Sequence, residues 1–270
     1  MIFKARNYTL DLSEAKVMAV INLTPDSFYE GSRFDLNSAV EQAVKAEKDG
    51  AAIIDLGAQS TAPDSTPITE EEELSRLIEP LKAIRKAVNI PISVDTFYPS
   101  VARAALQNGA DIINDVSGKC DGVMSAVAAE FGAGHIIMHT GGLKSSEARQ
   151  DKTDINEEIS SFFASAVAAA EKAGLKKENI CLDPGIGFGK SREDDLEIIT
   201  GFNRSDKLGC ASLAGLSRKR ITKLCGDALT GTVIFNAQCI IGGANIIRVH
   251  DVPQGIATVK ATQMILKGIL

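Results

Sequence analysis

Eight times along the chain a short apolar run ends at a polar or glycine-rich cluster. The run at 17–21 leads into Asn22, that at 51–56 into the loop 57–61 with Thr61, that at 92–94 into Asp95, and Ile112 and Ile113 into Asn114 and Asp115. The run at 136–138 leads into His139, 180–182 into Asp183, and 212–216 into Ser217, Arg218 and Lys219; the run at 245–249 carries Arg248 and ends at His250 and Asp251. Runs this short, bounded by turn residues, read as buried strands. The segments between them have helical spacing. Over 37–49, Ala39, Val40, Ala43, Val44 and Ala46 make one apolar face, and Gly50 stops the helix. Thr69 followed by Glu70, Glu71, Glu72 and Glu73 is a capped entry with acids where the helix dipole favours them, and it opens a helix to about Val88. Further helices are predicted over 99–108, 122–131, 155–173, 192–200, 231–241 and 254–267.

Strand and helix thus alternate through nearly the whole chain, which argues an α/β protein with parallel strands. A doubly wound open sheet shows the same alternation. Eight repeats, and a length of 270 residues against the roughly 250 that a β/α barrel needs, favour a single (β/α)8 TIM barrel occupying 1–270 as one domain. The stretch 3–12 is expected to form a short N-terminal hairpin across the barrel floor. In such a barrel the carboxyl ends of all strands lie on one rim, so the eight polar clusters converge on one pocket.

Composition narrows what that pocket serves. A net charge of −6 and the lack of a long Lys/Arg run disfavour a nucleic-acid binder. The start Met1-Ile2-Phe3-Lys4 does not resemble a signal peptide, and nowhere do some 18 apolar residues run together; a cytoplasmic protein without membrane contact is expected. Five cysteines, at 120, 181, 210, 225 and 239, have no Cys-x-x-Cys spacing and read as reduced structural thiols. No His/Cys/carboxylate cluster suggests a tightly held transition metal. A magnesium ion shared between a substrate phosphate and Asn22 or Asp26 suits the sequence, since magnesium takes few protein oxygens.

The segment 183–191 ends in Gly189-Lys190-Ser191 and so invites a P-loop reading. That reading fails, because the glycine required five residues earlier is Pro184, which has no N–H to offer a phosphate. A Rossmann reading fails on glycine spacing. What remains is a close-approach loop that carries Asp183. Asp95, Asn114 and Asp183, each at a strand end, suit the donor and acceptor edge of a flat heterocycle. Ser217-Arg218-Lys219 and Arg248-Val249-His250 fall at the seventh and eighth strands, where barrel enzymes often bind phosphate. Arg248 and His250 project to one face. Arg218 and Lys219, being adjacent, cannot both point inward, so Lys219 is assigned to the site and Arg218 to an ion pair. His135 and His139 are read as structural.

Six ordered segments carry a family resemblance: Asn22-Leu23-Thr24-Pro25-Asp26-Ser27-Phe28, Ser93-Val94-Asp95-Thr96, Ile113-Asn114-Asp115-Val116, Asp183-Pro184-Gly185-Ile186-Gly187-Phe188-Gly189-Lys190, Gly215-Leu216-Ser217-Arg218-Lys219 and Ile247-Arg248-Val249-His250-Asp251-Val252. In order and spacing the chain resembles dihydropteroate synthase of the folate pathway. The resemblance implies a barrel that joins 4-aminobenzoate to a hydroxymethyl-dihydropterin diphosphate and releases diphosphate. It implies that Asp95, Asn114, Asp183 and Lys219 hold the pterin, that Asn22, Thr61, Arg248 and His250 hold diphosphate and its Mg2+, with Asp26 supporting the metal, and that Phe28, Phe188 and Ser217 line the aminobenzoate slot. Asp95, Lys219 and Arg248 are the residues expected to carry catalysis, and a homodimer is implied. The chain departs from the family in two loops. Gln59-Ser60-Thr61-Ala62-Pro63-Asp64 stands where Glu-Ser-Thr-Arg-Pro-Gly is usual, and Thr140-Gly141-Gly142 follows His139. The departures leave open a pterin-binding paralogue with little or no synthase activity; a third alternative is a pterin-dependent methyltransferase, since folate-dependent methyl transfer also uses related barrels.

Overall fold

The computed structural model describes residues 1–23, 33–59, 66–141 and 154–268. The expectations placed on Asp26, Phe28 and Thr61 lie outside those residues, as does Ala62. A hairpin of β1 (Ile2–Ala5) and β2 (Tyr8–Asp11) comes first. Eight parallel strands follow: β3 (Lys16–Asn22), β4 (Ile53–Gly57), β5 (Ile92–Asp95), β6 (Ile112–Asp115), β7 (Gly134–Met138), β8 (Ile180–Asp183), β9 (Ala211–Ala214) and β10 (Ile246–Val249). They close in sequence order, with β10 pairing β3. The closed ring rules out the doubly wound sheet and leaves none of its eight strands with an open edge. Around it run α1 (Arg33–Lys48), α2 (Glu70–Ala87), α3 (Pro99–Gln107), α4 (Val123–Phe131), α5 (Ile155–Lys172), α6 (Arg192–Thr200), α7 (Ala228–Ile241) and α8 (Val252–Lys267).

The period of two along each strand sorts side chains into two cores. Outward residues such as Ile54, Leu56, Val94, Ile113, Leu182 and Ile247 pack with Leu77, Leu81 and Ile84 of α2 and their counterparts on the other helices. Inward residues at the lower ends of the strands, among them Met18, Ile53, Ile112, Ile136 and Ile246, form a second cluster with Phe3, Ala5 and Leu12 from the hairpin segment. The hairpin therefore plugs the barrel floor, as the sequence predicts. Burying each large apolar side chain there contributes about 1.5–3 kcal/mol. Gly134 makes room for the plug, since a Cβ at that position would sit 2.7 Å from the Phe3 ring. With the floor filled by hydrocarbon, the inward polar residues are confined to the upper half, towards the carboxyl-end rim.

Several boundaries shift from the sequence reading for identifiable reasons. The seventh helix begins at Ala228, because the Asp227 side chain accepts from the Thr230 amide and caps it. Gly231, expected to start the helix, is inside it; a Cβ there would lie 2.1 Å from the Thr222 carbonyl oxygen. The first helix starts at Arg33 and the last at Val252, with a proline in its first turn. Among the described residues no helix is long and apolar enough to cross a membrane, and all five cysteines are free thiols.

Candidate active site

The rim assembles from strand ends in register. The Cα of Asp95 pairs with those of Gly57 on one side and Asn114 on the other, so these positions stand at one height on neighbouring strands. Asp95, Asn114 and Asp183 are all buried side chains at strand ends. Arg248 reaches from β10 past β3 to β4 and β5. Its Nη2 donates to Asp95 Oδ2 at 2.9 Å and its Nε donates to Asp55 Oδ2 at 2.6 Å. The same Asp55 oxygen accepts from Asn114 Nδ2 at 3.3 Å. One guanidinium and two carboxylates thus join three strands and fix the planes of the groups that line the cup. Asp95 Oδ1 and Asp55 Oδ1 are buried without a protein partner, which leaves acceptor capacity beside the cup. Burial, opposed by Arg248 and reinforced by Asp55 and Glu73, raises the Asp95 carboxyl above its ordinary range.

On the other side stand Asp183, Lys219 and Phe188. Asp183 Oδ1 accepts from the Gly185 amide at 2.7 Å, and burial pushes its carboxyl upward against the pull of Lys219. Lys219 donates to the Ile186 carbonyl and its ammonium lies 4.1 Å from the centre of the Phe188 ring, a cation–π contact. Loss of solvent lowers its pKa to about 8, against the opposing effect of Asp183. Gly187, at φ +84°, is what lets the chain pass; a Cβ there would be 2.9 Å from the Lys219 side chain. Asp95 acts on the charge of Lys219 and Arg248 on that of Asp183, so the two halves share one electrostatic field.

At the seventh and eighth strand ends, Ser217 Oγ lies 3.0 Å from His250 Nδ1 and also accepts from the His250 amide. Partial desolvation, then Arg248 and Arg218, hold the His250 imidazole below its usual pKa, although its edge is exposed; it is neutral at pH 7. Arg218 turns outward and donates from Nε and Nη2 to both Asp251 oxygens, the ion pair expected from sequence. Asn22 is exposed at the end of β3, and its Oδ1 is 3.8 Å from the Cβ position that Gly57 leaves empty. Among the described residues no three His, Cys, Asp or Glu side chains gather as a metal site. A magnesium ion that relies mainly on substrate phosphates and water needs only one or two protein oxygens, and the open amide oxygen of Asn22 fits that requirement.

His135 and His139 are both buried and contacted by neighbouring side chains. His135 Nδ1 is 3.1 Å from Ser125 Oγ and the ring is wholly enclosed; His139 faces Glu158 at 3.3 Å and meets Phe162 edge to face. Sequence reasoning missed Asp55. The signal was present, as an acid inside the apolar Ile53-Ile54-Asp55-Leu56 run with the inward parity of Ile53 and Gly57. It also missed Glu73, whose buried carboxyl accepts from Gln59 Nε2 at 3.3 Å and has the Thr96 hydroxyl beside it.

A barrel with this rim matches a family model described as pterin binding enzyme over residues 18–250. The chain is 38% identical over 251 residues to dihydropteroate synthase of Streptococcus pyogenes serotype M6, covering 88% of this chain and 91% of that protein. It is 40% identical over 249 residues to the probable bifunctional folylpolyglutamate synthase/dihydropteroate synthase of Haloferax volcanii, covering 90% of this chain but 30% of that longer protein. The structure of Xanthomonas albilineans dihydropteroate synthase with 4-aminobenzoic acid superposes with a TM-score of 0.90 at 33% identity, covering 98% of both chains. The chain belongs to the dihydropteroate synthase family of pterin binding enzymes.

Proposed function

We propose that this transferase joins 6-hydroxymethyl-7,8-dihydropterin diphosphate to 4-aminobenzoate and releases diphosphate. The observation that carries the reading is the contact of Arg248 with Asp95 and Asp55, opposite Lys219 and Asp183. Asp95, Asn114 and Asp183 offer the acceptors and donors that a pterin edge needs. Lys219 and Phe188 cover one side of the cup. Arg248, His250 and Ser217 lie where the diphosphate departs, and Phe188 and Ser217 bound the arylamine slot.

The chemistry asks for little proton transfer, because an arylamine attacks as the neutral amine. As the carbon–oxygen bond to diphosphate breaks, positive charge spreads into the pterin and negative charge gathers on the leaving oxygens. Buried carboxylates beside the first and the Arg248 guanidinium beside the second stabilise both, in a site that is organised before the substrates arrive. Holding the amine in line with the breaking bond supplies the rest. Magnesium, when held through Asn22 and Asp26, would add charge neutralisation on the diphosphate.

The replacement of the usual loop arginine by Ala62 favours, as a second reading, a paralogue that binds pterin and turns over slowly. Calorimetry with pterin alone and then with 4-aminobenzoate plus diphosphate separates them: a synthase takes up both ligands in turn, whereas such a paralogue stops after the first. We also propose a cytoplasmic homodimer. The free thiols support a reducing compartment. Exposed Ile234 and Ile241 on α7, with Met264 and Ile265 on α8, support self-association, which sedimentation velocity tests.

A further inference from the structure

Lys190 stands at the end of the Gly-Lys-Ser segment, where a P-loop lysine would face a phosphate. Here it is engaged by main-chain carbonyls instead. Its side chain is 3% exposed, and the ammonium donates to three main-chain carbonyls: Gly185 at 2.9 Å, Phe188 at 3.2 Å and His139 at 3.3 Å. Two of those acceptors belong to the glycine loop that follows β8, and the third to the exit of β7. A buried ammonium that satisfies three carbonyls ties two barrel loops together at one point.

In the loop it ties, Ile186 is buried in the core, but three of the five residues are glycines with no side chain to pack. Gly185, Gly187 and Gly189 all have positive φ, and the chain lies so close to β7 that a Cβ at Gly185 would meet the His139 carbonyl oxygen at 1.8 Å. Such a segment loses much conformational entropy on folding and is fixed from outside. Lys190 is one brace. A second is Asp195 on α6, whose Oδ1 accepts from the Gly187 amide at 2.6 Å, and a third is the Phe188 carbonyl accepting from the Gly141 amide at 3.2 Å. On its other face the same loop presents the Ile186 carbonyl and the Phe188 ring to Lys219.

We propose that Lys190 is a positioning residue, which holds the 185–189 loop so that Ile186 and Phe188 orient the Lys219 ammonium towards the substrate. The proposal rests on the reading of Lys219 as a substrate contact. It makes the action of Lys190 indirect, so its effect on turnover disappears once Lys219 is gone. A lysine that merely supports the fold would instead lower activity by the same factor whatever stands at position 219.

The test is a double-mutant cycle on kcat/KM for the pterin diphosphate with Lys190→Met, Lys219→Met and the double variant, beside thermal melts. Lys190→Met is expected to lose about tenfold or more in kcat/KM alone, and within about threefold of nothing on the Lys219→Met background. A multiplicative double variant, or a Lys190→Met protein with full kcat/KM, overturns the proposal. If Lys190→Met does not fold, Lys190→Gln, which keeps a donor for one carbonyl, replaces it under the same criteria. A wild-type protein without diphosphate release would refute the functional reading instead; the cycle is then read on pterin affinity by calorimetry, with the same two outcomes.

Discussion

Asp55 Oδ2 lies 2.6 Å from Nε of Arg248 and 3.3 Å from Nδ2 of Asn114, so a wholly buried acid on β4 fixes two site residues from two other strands. Removing it leaves the arginine with Asp95 alone and deprives Asn114 of its partner. Breaking one side of a buried ion pair costs about 3–5 kcal/mol. Asp55→Ala is therefore expected to lower the melting temperature and to cut kcat/KM for the pterin diphosphate by about a hundredfold or more. A variant with full activity would show that Arg248 needs no such holder.

The Lys219 ammonium, with a pKa lowered to about 8 by burial, gives the reaction an alkaline limit. The protonated form is the one that donates to the pterin. It is present below that pKa and is lost above it, so kcat/KM falls as pH rises through about 8. A pH–rate profile in the free-substrate limit measures this, and a level profile well beyond that pH contradicts the role.

Glu73 makes stability, rather than turnover, depend on pH. In the unfolded chain its carboxyl ionises near 4.5, whereas burial keeps it protonated in the fold to about 7. The folded state then binds more protons between those values, and stability declines as pH rises across them. At about 1.4 kcal/mol per pH unit the whole effect is roughly 3 kcal/mol. Thermal melts of Glu73→Gln are expected to match the wild type near pH 4.5 and to exceed it clearly at alkaline pH. Equal melts at both ends would place the ionised carboxylate in a favourable setting.

The second-loop departure gives a gain-of-function test. A charge-assisted hydrogen bond is worth about 1.5–3 kcal/mol, or roughly ten- to hundredfold in rate. Ala62→Arg is expected to raise kcat/KM, while Lys219→Ala and Arg248→Ala each lower it by more than that substitution changes it. An inert or harmful Ala62→Arg would mean that the loop serves a different arrangement.

The parts of this molecule that repeat were readable in advance. Each strand of the barrel announces itself by an apolar run, and the residue that ends it, Asp95, Asn114 or Asp183, sits at the rim because strand parity and parallel register leave it no other place. The adjacency of Arg218 and Lys219 likewise allowed one to be sent outward to an ion pair and the other inward, and the outward partner is Asp251. What escaped notice was polar function within an apolar context. Asp55 lies inside an apolar run, between Ile54 and Leu56, and only its partners on other strands reveal its purpose. Lys190 looked like part of a phosphate motif, and its three carbonyl acceptors come from turns whose approach depends on the positive φ of Gly185, Gly187 and Gly189. Helix starts drifted where a cap such as Asp227 lay upstream of the apolar pattern, and Gly231 misled because it serves a close contact with Thr222 rather than a terminus.

The central claim is the diphosphate-releasing condensation. Purified protein supplied with 6-hydroxymethyl-7,8-dihydropterin diphosphate, 4-aminobenzoate and magnesium is predicted to release one diphosphate for each aminobenzoate consumed, with dihydropteroate as the product. No diphosphate release at saturating concentrations of both substrates would contradict it.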